Sequence, residues 1–379
     1  MGDARMQRKR MAWIGCLFLA VPSVAQANTG TPLMWADGLH LMFGNLMIGC
    51  VEGVVLAKMF GLPKRKCVAL MILANYFSAW LGGHFIAKAI ARTLPFDLLN
   101  VWPLLGLMAG ITYLLTLLLE FPFVACALRG DASWCRKAIL GSFLIQTVSY
   151  AGLIGWYGLA SATSSLGSRT DIVGIDAVSL PENILVCFIS AADGDAYAGS
   201  LCERQWRNIF DLNSSNRHDR LFVRPSAQDT NVWDLAACLE TGTVRPPDLV
   251  TVRERFATVT AETWRSPKEQ SPSYGGSYFK FGPVSKLGDA QSSAWQFRTG
   301  FWAYAGLSGI ETNSGERVRF SFETPFVNWY IRNAVHLPTD KVLFQLGNEQ
   351  ICLYDPVKKQ IALVARGRGP VAVVGNEKE

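Results

Sequence analysis

The chain has 379 residues, of which 50% are hydrophobic and only 17% charged, and its formal net charge is +6. Average soluble proteins carry roughly 25% charged residues, so this composition excludes a disordered chain and an ordinary soluble one, and predicts that part of the length lies in lipid. The positive balance is local: residues 1–160 hold 13 Lys/Arg against 6 Asp/Glu, whereas residues 161–379 hold 23 against 24. It therefore reports membrane topology, and no basic patch with interleaved aromatics supports a nucleic-acid partner.

Residues 1–27 read as a signal peptide. Arg5, Arg8, Lys9 and Arg10 precede an apolar run, Met11–Val21, which Pro22 breaks before the small-residue site Ala25-Gln26-Ala27. Cleavage after Ala27 is favoured over a retained anchor, because the run falls well short of the roughly 20 residues a span requires.

Residues 28–160 read as a four-span transmembrane helical domain, with spans at Leu39–Phe60, Val68–Arg92, Val101–Leu128 and Ala138–Ala160. The first connector adds Lys64, Arg65 and Lys66 to Lys58, and the third holds Arg129, Arg136 and Lys137. The second, Thr93–Asn100, has no Lys or Arg. By the positive-inside rule the first and third face the cytoplasm, which puts everything after residue 160 outside. Short connectors make successive spans antiparallel neighbours. Gly49/Gly53, Ala79/Gly83, Gly106/Gly110 and Ala151/Gly155 are small-xxx-small pairs that let helices approach within the bundle or, alternatively, between copies in a homo-oligomer.

One polar residue per span recurs at a common depth. Glu52, Asn75, Glu120 and Gln146 each lie seven or eight residues from the cytoplasmic end of their span, about 12 Å at helical rise. They form an expected intramembrane layer, either structural hydrogen bonding or a proton or ion relay. Nearer the outer end stand Asp37, His40, His84 and Lys88. The two histidines differ in level by roughly 10 Å, which excludes bis-histidine haem. With no C-x-x-C-H, H-E-x-x-H or cysteine pair at ligand spacing, no metal and no cofactor are expected.

Residues 161–182 read as a linker that opens on the small polar run SATSSLGS, and residues 183–379 as an extracytoplasmic all-β domain. Strand signals fall at Asn183–Ser190, Arg220–Pro225, Arg317–Phe322, Lys341–Leu346, Gln350–Tyr354 and Gln360–Ala365, and one helical signal at Val232–Leu239. A loose strand–turn–strand repeat starting at 184, 221 and 342 predicts a β-propeller of four or five blades, with a β-sandwich or irregular barrel as the alternative. Cys187, Cys202, Cys238 and Cys352 fall in this domain, on the oxidising side, and are candidates for one or two disulfides, the alternative being that Cys187 and Cys352, in apolar strand runs, are buried thiols.

Asp193-Gly194-Asp195 lacks the rest of a calcium loop and reads as a turn. Arg366 and Arg368 are candidate anion contacts, and Ser266–Phe281 is a candidate contact loop. No catalytic motif is present. The expected function is a membrane-anchored extracytoplasmic binding or scaffold protein of a bacterial-type envelope, seated in the inner membrane. Its β domain would meet a partner protein or ligand. The alternative is a small ion-coupled transporter or channel-like protein with a sensing β domain.

Overall fold

Four helices are long and apolar enough to cross a membrane: α1 (Pro32–Phe60), α2 (Lys64–Thr93), α3 (Val101–Ala127) and α4 (Trp134–Ala160). The structure, a computed structural model, describes residues 30–162, 170–229, 231–239, 248–260 and 281–375. The expected signal segment, most of the SATSSLGS run and nearly all of the 266–281 loop lie outside them.

Helix α1 starts earlier than the hydropathy suggests. Thr31 caps it by accepting the Met34 N–H at 3.2 Å, and Pro32 sits in the first turn, where its missing N–H costs nothing. It stops at Gly61, whose φ of 66° is left-handed, and the Leu62 N–H returns to the Ala57 carbonyl at 3.0 Å. Both α1 and α2 carry a π-helical stretch, His40–Gly44 and Ser78–Ala87. Pro122 lies inside α3 without ending it.

The helices are apolar on the outside and polar within. Leu118 is 71% exposed and Val148 74%, whereas Glu52, Asn75, Ser78, Glu120, Ser142 and Gln146 are buried. Water-soluble proteins show the opposite arrangement; this one suits a lipid surround. The apolar part of the interior is Leu56, Cys67, Met71, Ala74, Val124, Ala138 and Ile145. Gly49 and Gly53 mark the closest approach of α1 to α2: a Cβ at Gly49 would stand 2.6 Å from Ile72 Cα, and one at Gly53 2.4 Å from Val68 Cα. Gly83, Gly106, Gly110 and Gly155 have open space instead, so the other three small-residue pairs are not close helix contacts among the described residues.

The chain divides into two compact units. One comprises the described residues up to Ile90 together with Ala109–Ser161; the other comprises Ala91–Met108 together with Ala162–Glu379. The second is mostly β. Its strands in chain order are β1 (Asp171–Ile172), β2 (Ile184–Ser190), β3 (Ala196–Ser200), β4 (Arg207–Phe210), β5 (Arg220–Pro225), β6 (Trp233–Leu239), β7 (Asp248–Ala257), β8 (Gly282–Pro283), β9 (Ser285–Lys286), β10 (Trp295–Thr299), β11 (Leu307–Glu311), β12 (Arg317–Phe320), β13 (Phe322–Glu323), β14 (Asn328–Trp329), β15 (Ile331–His336), β16 (Val342–Leu346), β17 (Gln350–Asp355) and β18 (Gln360–Val374).

Nine strands form one sheet in the order β4-β3-β2-β18-β17-β16-β15-β9, with β1 parallel to β18, and this sheet curls into a half-barrel. Strand β18 spans the curl. Its first part, through Arg366, pairs with β17 and its second, from Gly367, with β2, where the pairing has an irregularity between Arg368 and Val371. A further break in register on β15, between Arg332 and Val335, lies on the same sheet; such irregularities sharpen local twist. Smaller sheets, β5-β6-β7 and β12-β11-β10-β8, accompany it. Every residue of β16 and β17 is buried, which is why those strands read as apolar runs rather than alternating ones.

Propeller blades are not shown. The three repeat starts instead head hairpins: β2–β3, β5–β6 and β16–β17. The first and third belong to one sheet. The helix expected at Val232–Leu239 is strand β6. It is flanked by β5 and β7, and Leu235, Ala236 and Ala237 are all fully buried, so both faces are covered and no two-residue period marks the strand.

Candidate functional site

The polar layer is built by helix spacing. Glu52 lies between Gly49 and Gly53, so it rides on the α1 face that presses against α2. There Asn75 donates to Glu52 Oε2 at 2.5 Å, and a second Asn75 donor proton goes to the Met71 carbonyl at 3.0 Å. The Ser149 hydroxyl of α4 donates to the other oxygen of Glu52. Glu120 of α3 is arranged in the same way: the Ser78 hydroxyl of α2 donates to Oε1 at 2.5 Å, and Gln146 of α4 donates to Oε2. Glu52 is 2% exposed and Glu120 0%. The structure thus brings Glu52 to Asn75 and Glu120 to Gln146, and all four helices contribute.

Ser78 and Ser149 were not singled out from the sequence. They follow Asn75 and Gln146 by three residues, the spacing of same-face neighbours; that was the available signal. Ser142, one turn before Gln146 on α4, is 4% exposed, and its hydroxyl has no hydrogen-bond partner.

The outer residues form a chain rather than a shared ligand set. His40 Nδ1 and the Tyr157 hydroxyl lie 2.7 Å apart, and that hydroxyl donates to Asp37 Oδ1 at 3.2 Å. Lys88 Nζ lies 3.7 Å from Asp37 Oδ2 and 3.1 Å from His84 Nδ1. The two imidazoles therefore meet different partners. Tyr157, absent from the sequence-derived group, is the link between His40 and Asp37. Asp37 and Lys88 are 40% and 39% exposed, so their ion pair contributes little to stability.

In the β unit the arginine pair separates. Arg366 donates to Asp97. Arg368 is 4% exposed and donates to the Ser214 carbonyl at 2.5 Å and the Ser214 hydroxyl at 2.7 Å. Successive residues on a strand point to opposite faces, and two residues apart on a regular strand would share one; here the strand passes from pairing with β17 at Arg366 to pairing with β2 at Gly367. No common anion fork results.

Of the two readings of the cysteines the structure has the thiol one: Cys187, Cys202, Cys238 and Cys352 are all free. Their cross-strand partners are not cysteines: Cys187 faces Ala198 and Val371, Cys238 faces Arg220 and Leu249, and Cys352 faces Phe344. Full burial pushes the Cys187 and Cys352 thiols above their ordinary range. Asp193-Gly194-Asp195 is a turn in which Asp193 Oδ1 accepts the Asp195 N–H at 3.1 Å and Oδ2 accepts the Tyr197 hydroxyl at 2.8 Å. Among the described residues no group of three or more His, Cys, Asp or Glu is placed to hold a metal.

His336 is a further titratable group, at the end of β15 and 1% exposed. Its Nε2 stands 3.4 Å from Asp340, and its ring meets Phe297 edge-on at 4.8 Å. Burial lowers its pKa to about 4.

In comparisons with known proteins, no family model matches the chain, and no curated protein or solved structure matches it.

Proposed function

We propose that the chain is a membrane-anchored binding or scaffold protein of a bacterial-type envelope, with its β domain on the extracytoplasmic side meeting a partner protein or ligand. The observation that carries this reading is the make-up of the β unit's core. Leu98 and Val101, from the α2–α3 connector and the first turn of α3, are fully buried in a cluster with Phe320, Phe322, Trp329 and Phe344. The Leu98 N–H donates to Gln350 Oε1 at 2.7 Å, Asp97 accepts from Arg366, and Trp102 meets Phe322 edge-on at 6.3 Å. The core of the β unit thus takes in the residues that lead into α3. Rigid β scaffolds present loops for binding without needing clustered titratable groups.

The orientation rests on Lys58, Lys64–Lys66, Arg129, Arg136 and Lys137 in and beside the α1–α2 and α3–α4 connectors, and on the reading of residues 1–27 as a signal. Of the finer folds, the curled sheet favours an irregular barrel or sandwich over a propeller.

Two experiments test this reading. A reporter active only outside the cytoplasm should be active when fused after Glu379 and silent when fused at Lys64; the reverse pattern overturns the topology. Crosslinking of the intact protein in membranes, followed by pull-down in mild detergent, should recover a discrete envelope partner or copies of the chain. Recovery of uncrosslinked monomer alone would overturn the protein-scaffold reading.

A further inference from the structure

We infer that the intramembrane layer is a binding site for an exchangeable monovalent cation, a proton or a sodium ion, held on Glu52 and Glu120. This goes beyond the anchoring role and stands whether or not the β domain binds a partner.

The first ground is charge balance. Two carboxyl side chains lie almost wholly buried within a bundle whose outer surface is apolar. Each receives two hydrogen bonds, and all four donors are neutral: Asn75 and Ser149 to Glu52, Ser78 and Gln146 to Glu120. Among the described residues no ion pair reaches either acid. Lys88, at the outer group, is taken up by Asp37 and His84, and Lys66 donates to the Cys126 carbonyl. Neutral donors ease the burial of a carboxylate but do not cancel its charge, and two uncompensated charges in such a medium are very costly. Each acid therefore needs a positive counter-charge that the described residues do not supply.

The second ground is the donor set. The oxygens at the site are the carboxyl oxygens of Glu52 and Glu120 and the hydroxyls of Ser78 and Ser149, hard ligands suited to a small hard cation, and no sulfur or imidazole is among them. The third is independent of the acids. Ser142 lies on the α4 face shared by Gln146 and Ser149, at i, i+4 and i+7, and its hydroxyl is buried without a partner. The fold leaves an unused oxygen ligand one turn from Gln146. Structural hydrogen bonding alone would be met more cheaply by neutral side chains, since polar contacts between membrane helices are individually weak.

The test uses the full-length protein in liposomes, labelled with 13C-glutamate for infrared difference spectroscopy. The wild type is compared with Glu52→Gln, Glu120→Gln and the double variant. A carboxylic-acid C=O band should be present in the wild type, weaker in each single variant and absent from the double one. For a proton site the band should fall at least about tenfold across one titration between about pH 5 and pH 9. For a sodium site it should fall at fixed pH when sodium replaces choline.

A second readout on the unmutated chain guards against variants that fail to fold. Dicyclohexylcarbodiimide adds to a protonated carboxyl in an apolar environment, and peptide mass mapping locates the adduct. The label should sit on the Glu52 or Glu120 peptide and decline with alkaline pH or with sodium. A band and an adduct that both respond to neither pH nor sodium, or an adduct that never forms on either peptide at any pH, would overturn the inference and leave the layer as fixed hydrogen bonding.

Discussion

Replacing Gly53 by alanine tests how the polar layer is assembled. The added Cβ would stand 2.4 Å from Val68 Cα and 2.7 Å from Val68 N, both backbone atoms that no side-chain rotation can move. An ordinary contact begins at 3.4 Å, so α1 and α2 must part by about 1 Å. The Asn75–Glu52 hydrogen bond, 2.5 Å in the native bundle, would then stretch to about 3.5 Å, past useful range. Overpacking of this kind costs about 1–3 kcal/mol, and the weakened hydrogen bond adds about 0.6 kcal/mol. The gain in helix propensity from glycine to alanine offsets up to about 1 kcal/mol. The net expectation is a loss of roughly 1–3 kcal/mol. Gly152→Ala is the control, because a Cβ there meets nothing within 4 Å; it should be neutral or stabilising by up to about 1 kcal/mol. Reversible unfolding in mixed detergent micelles measures both. Disulfide crosslinking between Glu52→Cys and Asn75→Cys, in a background lacking the other cysteines, should slow when Gly53→Ala is added. Equal stability of Gly53→Ala and Gly152→Ala, with undiminished crosslinking, would refute the close-approach argument.

Three further outcomes follow from the same structure. Glu52→Gln should stay within about 0.5 kcal/mol of wild type, because the amide still accepts a hydrogen bond, whereas Glu52→Leu should cost about 1–2 kcal/mol by stranding Asn75 and Ser149; the same unfolding assay checks both, and equal costs would contradict the pairing. His336 has a folded pKa of about 4, below the ordinary 6.5. The unfolded chain therefore takes up a proton that the folded one refuses, so stability is intact above about pH 6.5 and falls as the pH drops toward 4, by on the order of 3 kcal/mol. His336→Phe should flatten the acid limb of a stability–pH curve, and an unchanged limb would count against it. Finally, protein purified without reductant and then denatured should show Cys187, Cys202, Cys238 and Cys352 all alkylated in peptide mass maps, with Cys202 alone of these four reacting quickly in the native state. A pair missing after denaturation would mean a disulfide.

The membrane half was legible because lipid imposes a simple grammar. A span needs about 20 apolar residues, so polar residues inside it stand out and can be compared by depth. That comparison singled out Glu52, Asn75, Glu120 and Gln146, which the structure joins in two pairs. Ser78, Ser149 and Tyr157 escaped because hydroxyl groups are ordinary in membrane helices and only their partners distinguish them. The early start of α1 is carried by Thr31-Pro32, a capping signal that hydropathy does not register.

The β half was less legible, and the reason is the reach of its contacts. Hairpins are local, so KVLFQL and QICLY could be read as neighbouring strands, and β16 and β17 do pair. What the next hairpin packs against is not local. Strand β18 joins β17 to β2 across more than a hundred residues of sequence, and its passage from one to the other at Arg366–Gly367 carries no signature beyond the glycines beside it. The cysteines misled for a related reason: compartment and count permit a disulfide, but only register decides whether two sulfurs meet. The same dependence on distant partners hides the most consequential feature of the domain. Thr93–Asn100 looks like a bare connector, yet Leu98 fills the β core and Gln350 accepts its backbone N–H. Because that connector leads directly into α3, a substitution at Gln350 or Phe322 reaches the start of a membrane helix through packing alone.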